Sequence, residues 1–267
     1  MRDEMNEATV EIEQHGAAAW IWMNRAAVHN ALNEEMIQAL TQAFQALGED
    51  SAVRVIVLSG RGKSFSAGAD VDSMKRQGAA SPIDNLANAR ELAGMFRAIA
   101  SSSKPTIARV NGAAIGGGLG FVSACDIAIA ADSALFAASE VRLGLIPATI
   151  GPYVVQAIGA RWARRLFLTG ERISAGQGQQ LNLVHEVVDP GELDERVNAV
   201  VSNLLAGGPG AQKAVKELVH AVTARSITQE LSEETAVRIA TIRSEPEALE
   251  GLAAFLEKRP AAWVRPR

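Results

Sequence analysis

The sequence predicts an α/β fold of alternating strands and helices, followed by a purely helical C-terminal region. Three observations predict it. Short β-branched apolar runs alternate with longer stretches whose apolar residues recur every three or four positions. Two small-residue turns, Phe65-Ser-Ala-Gly-Ala-Asp70 and Asn111-Gly-Ala-Ala-Ile-Gly-Gly-Gly-Leu-Gly120, each follow such a run. Strand signals stop at Ala206-Gly-Gly-Pro-Gly210, beyond which only helical spacing remains. The chain therefore divides into an α/β core, 1–206, and a helical region, 207–267.

Residues 9–13 and 17–23 read as two strands around a turn at His15-Gly16. Asn33–Leu47 reads as a helix, because Met36, Ile37, Leu40, Phe44 and Leu47 share one face. Val53–Ser59 is a buried strand leading through a polar loop into the first turn. Leu92, Met95, Phe96 and Ile99 give a helix over 84–100, ended by Lys104-Pro105, and Thr106–Val110 is the next strand. After the glycine-rich turn come strands at Asp126–Ala130 and Ala134–Ala137. Helices follow at Pro152–Ile158 and Trp162–Leu168, then a strand at Leu183–Val188. Helical patterns then cover Ala211–Thr223, Ile227–Arg243 and Pro246–Glu257. About sixty residues of helix are marginal as an independent domain. They are expected to pack on the core or on another subunit.

The 267 residues are 48% apolar and 21% charged, with formal net charge −4 and pI about 5.7. No global field favours nucleic acid, and no basic, aromatic-interleaved stretch is present. Cys125 is the only cysteine, which excludes an internal disulfide and a cysteine-rich zinc site. The acidic start Met-Arg-Asp-Glu is unlike a secretory signal, and no apolar run reaches membrane-spanning length. A soluble cytoplasmic protein with no membrane partner is expected.

The two turns carry the chemistry. Five of the ten residues 111–120 are glycine, three of them consecutive. That much backbone freedom is placed where side chains must be absent, so that main-chain N–H groups approach a ligand oxygen. No Gly-Lys-Ser/Thr follows, so the turn is not a phosphate-binding P-loop, and Phe121 stands where a dinucleotide fingerprint needs its third glycine. Two such turns together offer two donors to one developing oxyanion. His15, His29, His185 and His220 show no metal-ligand spacing.

Further motifs accompany the turns. They are Met23-Asn-Arg25 with Asn30-Ala-Leu32, Cys125-Asp126, Ser139-Glu140, Leu143-Gly144, Ile146-Pro147 and Phe255-Leu-Glu-Lys258-Arg. In these motifs the chain resembles the enoyl-CoA hydratase/isomerase (crotonase) family over almost its whole length. The resemblance implies a crotonase-like spiral of strand-strand-helix units, with a C-terminal helical region that builds homotrimers, often dimers of trimers. It implies an acyl-CoA thioester as partner and no metal or redox cofactor. It makes the N–H groups of Ala67 and Gly117 the oxyanion donors, with Gly68, Ala69 and Asp70 completing the substrate-facing bend. It makes Glu140 the acid/base. Gly120 occupies the position of the first of the two glutamates that hydratases of this family usually carry.

The combination of Gly120 with Pro147-Ala-Thr-Ile-Gly-Pro-Tyr153 looks like the bacterial methylglutaconyl-CoA hydratases. Their substrates are branched and carry a second carboxylate. A glycine at 120 is expected to make room for the branch and to remove a repelling charge. Arg25, Lys63, Lys75 and Lys258 are the cations expected near the CoA phosphates, since Ala26 and Ala27 replace the family's proline and basic residue. Phe255 either faces the adenine or packs in the core. Hydration by one glutamate is the expected reaction. The alternatives are an enoyl-CoA isomerase with the same proton shuttle and a non-catalytic acyl-CoA-binding protein.

Overall fold

The computed structural model describes residues 8–264. Its elements begin β1 (Val10–His15), β2 (Ala18–Met23), α1 (Glu34–Glu49), β3 (Val55–Gly60), α2 (Val71–Ala79), α3 (Pro82–Ala100) and β4 (Thr106–Val110). They continue β5 (Ala114–Ile115), α4 (Gly117–Ala124), β6 (Ile127–Ala131) and β7 (Leu135–Ala137), then a 3₁₀ turn at Glu140–Leu143. The remainder is α5 (Gly151–Thr169), β8 (Ile173–Ser174), α6 (Ala175–Gln180), β9 (Glu186–Val188), α7 (Leu193–Ala206), α8 (Pro209–Val222), α9 (Gln229–Arg243) and α10 (Pro246–Leu256). The six-stranded sheet runs β1-β2-β3-β4-β6-β9, antiparallel only between β1 and β2. A second sheet, β5-β7-β8, stands beside it.

The parallel strands are buried on both faces, which is why β3 is apolar along its length rather than alternating. Ile56 and Leu58 join the large core with Met36, Leu40, Phe44, Phe96 and Phe121 from the helices. Val55 and Val57 point the other way and pack with Leu193, Val197 and Val201 of α7. Helices α2, α6 and α7 lie outside the elements the periodicity predicts. The α7 stripe at every fourth residue is readable after the fact. Helix α6 instead rests on a capping box between Ser174 and Gln177. The two helices expected around Gly159 form one element with a kink there, where φ is 75°. The strand expected over Leu183–Val188 shrinks to Glu186–Val188, because only these residues pair with β6.

Helices α8, α9 and α10 pack on one another. Lys216 ties α8 to the core through Asp126, at 2.6 Å. Their outer faces leave Val215, Val219, Val237, Leu252, Phe255 and Leu256 exposed. Phe255 is 80% exposed, which rules out the core-packing role for it. No helix among the described residues is long and apolar enough to cross a membrane.

Candidate active site

The two bends lie in contact, and glycine is what lets them. A Cβ on Gly118 would stand 2.4 Å from the Ser66 carbonyl oxygen, and one on Gly68 2.8 Å from that of Ile115. Gly68 (φ 88°) and Gly116 (φ 53°) also have backbone that other residues rarely adopt. The absent side chains thus serve main chain packed on main chain. Parallel bridges tie the first bend on both sides, Leu32 to Ala69 and Ser66 to Ala114.

That pairing decides which N–H groups are free. Ala67 N–H donates to the His29 carbonyl at 2.9 Å, so Ala67 does not supply the oxyanion donor expected of it. Leu32 takes its bonds from the residues flanking Ala69: Leu32 N–H donates to Gly68 O at 2.7 Å, and Asp70 N–H donates to Leu32 O at 2.9 Å. Ala69 therefore turns its own N–H to the opposite, exposed side, with no protein acceptor among the described residues. Gly117 opens α4, and its N–H is one of the orphan donors at a helix start. The positive end of the helix dipole reinforces it. The Gly117 Cα faces inward, since a Cβ there would lie 2.5 Å from Leu32 Cδ1. A bulky residue at 117 would press on Leu32 rather than block a ligand oxygen.

Glu140 starts the 3₁₀ turn and stands over the second bend. A Cβ on Gly116 would lie 3.2 Å from Glu140 Oε1 and 3.7 Å from Gly68 Cα, so carboxylate and both bends meet at one place. Glu140 Oε2 is buried with no hydrogen-bond partner. Burial raises the Glu140 pKa above the ordinary glutamate range, and its own backbone N–H opposes this only in part. A desolvated carboxylate with an unused oxygen is suited to accept a proton from a ligand or water.

The room expected at Gly120 is not open. A Cβ there would meet Ile150 Cγ2 at 2.3 Å and Phe96 Cε1 at 2.7 Å. The second carboxylate of the usual pair is thus replaced by an apolar wall of Phe96 and Ile150, backed by Phe121 and Tyr153 around Phe96. Sequence reading missed both wall residues, which lie far from Gly120 along the chain.

Arg25 and Asp70 are engaged with each other at 2.9 Å, and Arg25 also donates to the Ala31 carbonyl. Asp70 further caps α2 by accepting from Asp72 and Ser73 N–H. Burial pushes its pKa up, but Ser73 N–H and Arg25 outweigh that and hold it below the usual range. Both side chains brace the bend from behind. Asn30, fully buried, donates to the carbonyls of Arg61, Ser64 and Phe65 and accepts from Arg25 N–H, fixing the loop before the bend. Lys63 is exposed, Lys75 pairs with Asp72, and Lys258 lies in the turn after α10 at φ 55°. The structure gathers Ala69, Gly117 and Glu140; Lys258 belongs to the helical region packed from α8, α9 and α10.

The sequence model of the enoyl-CoA hydratase/isomerase family matches residues 13–266. The crotonyl-CoA hydratase of Syntrophomonas wolfei is 33% identical over 259 residues, covering 95% of this chain and 96% of that protein. The short-chain-enoyl-CoA hydratase of Clostridium acetobutylicum is 31% identical over 256 residues, covering 94% and 95%. The crystal structure of an enoyl-CoA hydratase from Shewanella pealeana superposes with a TM-score of 0.93 at 39% identity, over 96% of each chain. The architecture is therefore the crotonase fold. The chain belongs to the enoyl-CoA hydratase/isomerase family.

Proposed function

We propose that the protein is a hydratase-type lyase that adds water to an α,β-unsaturated acyl-CoA, with Glu140 as its single acid/base. The observation that carries this reading is the desolvated Glu140 carboxylate at the meeting point of the two bends, each of which has an N–H, of Ala69 and of Gly117, with no acceptor among the described residues. The thioester oxygen accepts hydrogen bonds from both amides, which draws electrons away from the β-carbon. Glu140 takes a proton from water as the water oxygen bonds to that carbon. The alkene electron pair moves onto the thioester oxygen as an enolate, held by the two donors. Glu140 then returns the proton to the α-carbon and the carbonyl re-forms. One carboxylate suffices because the proton taken is the proton given back. Each donor is worth about 3–4 kcal/mol of barrier.

The acyl chain we favour is branched and carries a second carboxylate, as in 3-methylglutaconyl-CoA. The motif resemblance supports it, as does the apolar wall at Gly120, which opposes an anionic chain with no like charge. The branch must fit beside that wall rather than in a vacancy at residue 120. The chemistry needs no metal or redox cofactor, since the amides supply the electrophilic assistance. The family resemblance makes the assembly a homotrimer or dimer of trimers, and the exposed apolar faces of α8, α9 and α10 support self-association. A single cysteine accords with the cytoplasm.

The test is turnover of a panel of straight and branched enoyl-CoAs in ¹⁸O-water. The expected product carries one solvent oxygen, and 3-methylglutaconyl-CoA outpaces crotonyl-CoA. Double-bond migration without label would instead make the protein an isomerase. Binding without turnover, unchanged in Glu140→Gln, would make it an acyl-CoA carrier. A preference for crotonyl-CoA would remove the branched substrate.

A further inference from the structure

Next to Phe96 and Ile150 along the chain lies a second feature that the reaction above does not use. A groove of about 610 Å³ runs between α3 and the stretch from Ala148 to Tyr153. Arg90 and Arg97 both line it. They are seven residues apart on α3, which puts them on one face about 10 Å from each other along the axis. Ala93 and Gly94 lie between them, so the floor is low. Thr149, Pro152 and Tyr153 form the other bank. No acidic residue lines the groove, and neither arginine has a carboxylate partner among the described residues. Arg97 sits close enough to Tyr153 for its charge to oppose the rise that burial causes in the tyrosine's pKa.

Chain neighbours connect the groove to the reaction centre. Phe96, beside Arg97, and Ile150, beside Thr149, are the residues that fill the place at Gly120. Gly120 lies one helical turn beyond Gly116, where Glu140 stands. The Phe96 and Tyr153 rings have centroids 6.0 Å apart. For an acyl chain anchored by its thioester at Ala69 and Gly117 to reach the two guanidinium groups, it must pass along this wall.

We propose that this groove, with Arg97 and the Tyr153 hydroxyl at its centre, binds a carboxylate at the far end of the acyl chain. Arg97 supplies charge-assisted donors and Tyr153 a neutral one, while Arg90 adds to the positive field. The inference rests on the hydratase reading for the placement of the thioester. It assigns specificity to residues outside the reacting centre. A role for Arg97 confined to the last turn of α3, where a cation favours the helix dipole, would affect stability and treat all substrates alike.

The experiment separates the groove from the chemistry. Glutaryl-CoA and butyryl-CoA are saturated and cannot be hydrated, so calorimetry with them reads binding alone. Glutaryl-CoA is expected to bind about tenfold more tightly than butyryl-CoA at low salt. That advantage is expected to vanish in Arg97→Gln, shrink in Tyr153→Phe, survive in Arg97→Lys and fall as salt is raised. In turnover, Arg97→Gln is expected to raise KM for glutaconyl-CoA about tenfold and leave crotonyl-CoA and the glutaconyl methyl ester unchanged. Equal affinities of the wild type for the two saturated thioesters would overturn the proposal, as would equal losses for both in the variant. Failure of the hydratase reading shows separately, as no turnover of any enoyl-CoA.

Discussion

The first bend and the second bend each leave one N–H without an acceptor among the described residues, for different physical reasons. In the second, the reason is local. Gly117 opens α4, and the first N–H groups of any helix lack a partner within it. In the first, the reason is long-range. Gly68, at φ 88°, interrupts the extended run, so the N–H groups of Ala67 and Ala69, which a continuous strand would point to the same side, have different surroundings. Ala67 N–H is bonded to His29; Ala69 N–H points away from Leu32 and has no acceptor among the described residues. A local donor can be read from a strand-glycine-helix pattern. A donor set by pairing is known only once its partner strand is known.

The largest expected effect concerns the group both bends serve. Glu140→Gln keeps the shape but cannot take a proton, and kcat should drop about 10²–10⁴-fold with little change in KM. Retained activity would mean that the bends face some other base.

The comparison itself is sharpened by replacing single amides with esters, which removes one N–H and no side chain. Lactic acid in place of Ala69 should lower kcat about 10²–10³-fold. The same replacement at Ala67 should leave kcat alone and lower stability by about 1 kcal/mol, through the lost bond to His29. The opposite pattern of rates would restore Ala67 as the donor.

Next in size is the brace behind the first bend. Asp70→Ala removes the α2 cap and leaves Arg25 unpaired. A stability loss of about 1–2 kcal/mol from the cap alone is expected in denaturant titration. A fall in kcat should accompany it as Ala69 loses its fixed direction. Asp70→Asn, which keeps the capping oxygen, should recover most of the stability.

The smallest effect is in pH. Burial raises the Glu140 pKa, so the folded state holds that proton more tightly than the unfolded state does. Stability attributable to this residue is therefore highest below the ordinary glutamate pKa and declines as pH rises to the folded value. Glu140→Gln should raise Tm at neutral pH, and the difference should disappear below about pH 4. The base must be ionised, so the acidic limb of the kcat/KM profile should lie above the usual glutamate range. A limb at or below the unperturbed value would contradict the desolvated carboxylate.

Much of this was legible in the chain. The apolar runs of β3 and β4, the α1 and α3 stripes and the glycine-rich turn locate most of the elements that carry the site. Motif resemblance picked out Glu140 and Gly117. Ala67 and Ala69 could not be told apart, because both are alanines in one small-residue turn and differ only in which way the backbone faces. The wall at Gly120 was equally hidden. A glycine shows that a side chain is missing, not whether ligand or Ile150 and Phe96 occupies the space.

By itself the sequence determined where the chain must be extended, helical or bare of side chains, since propensity, periodicity and glycine's freedom act over a few residues. Tertiary structure decided which amides stay unpaired, what fills the space at residue 120 and which cations are tied up, as Arg25 is by Asp70. Those outcomes depend on which distant segments meet, and hydrogen bonding and close packing settle them only after the chain has folded.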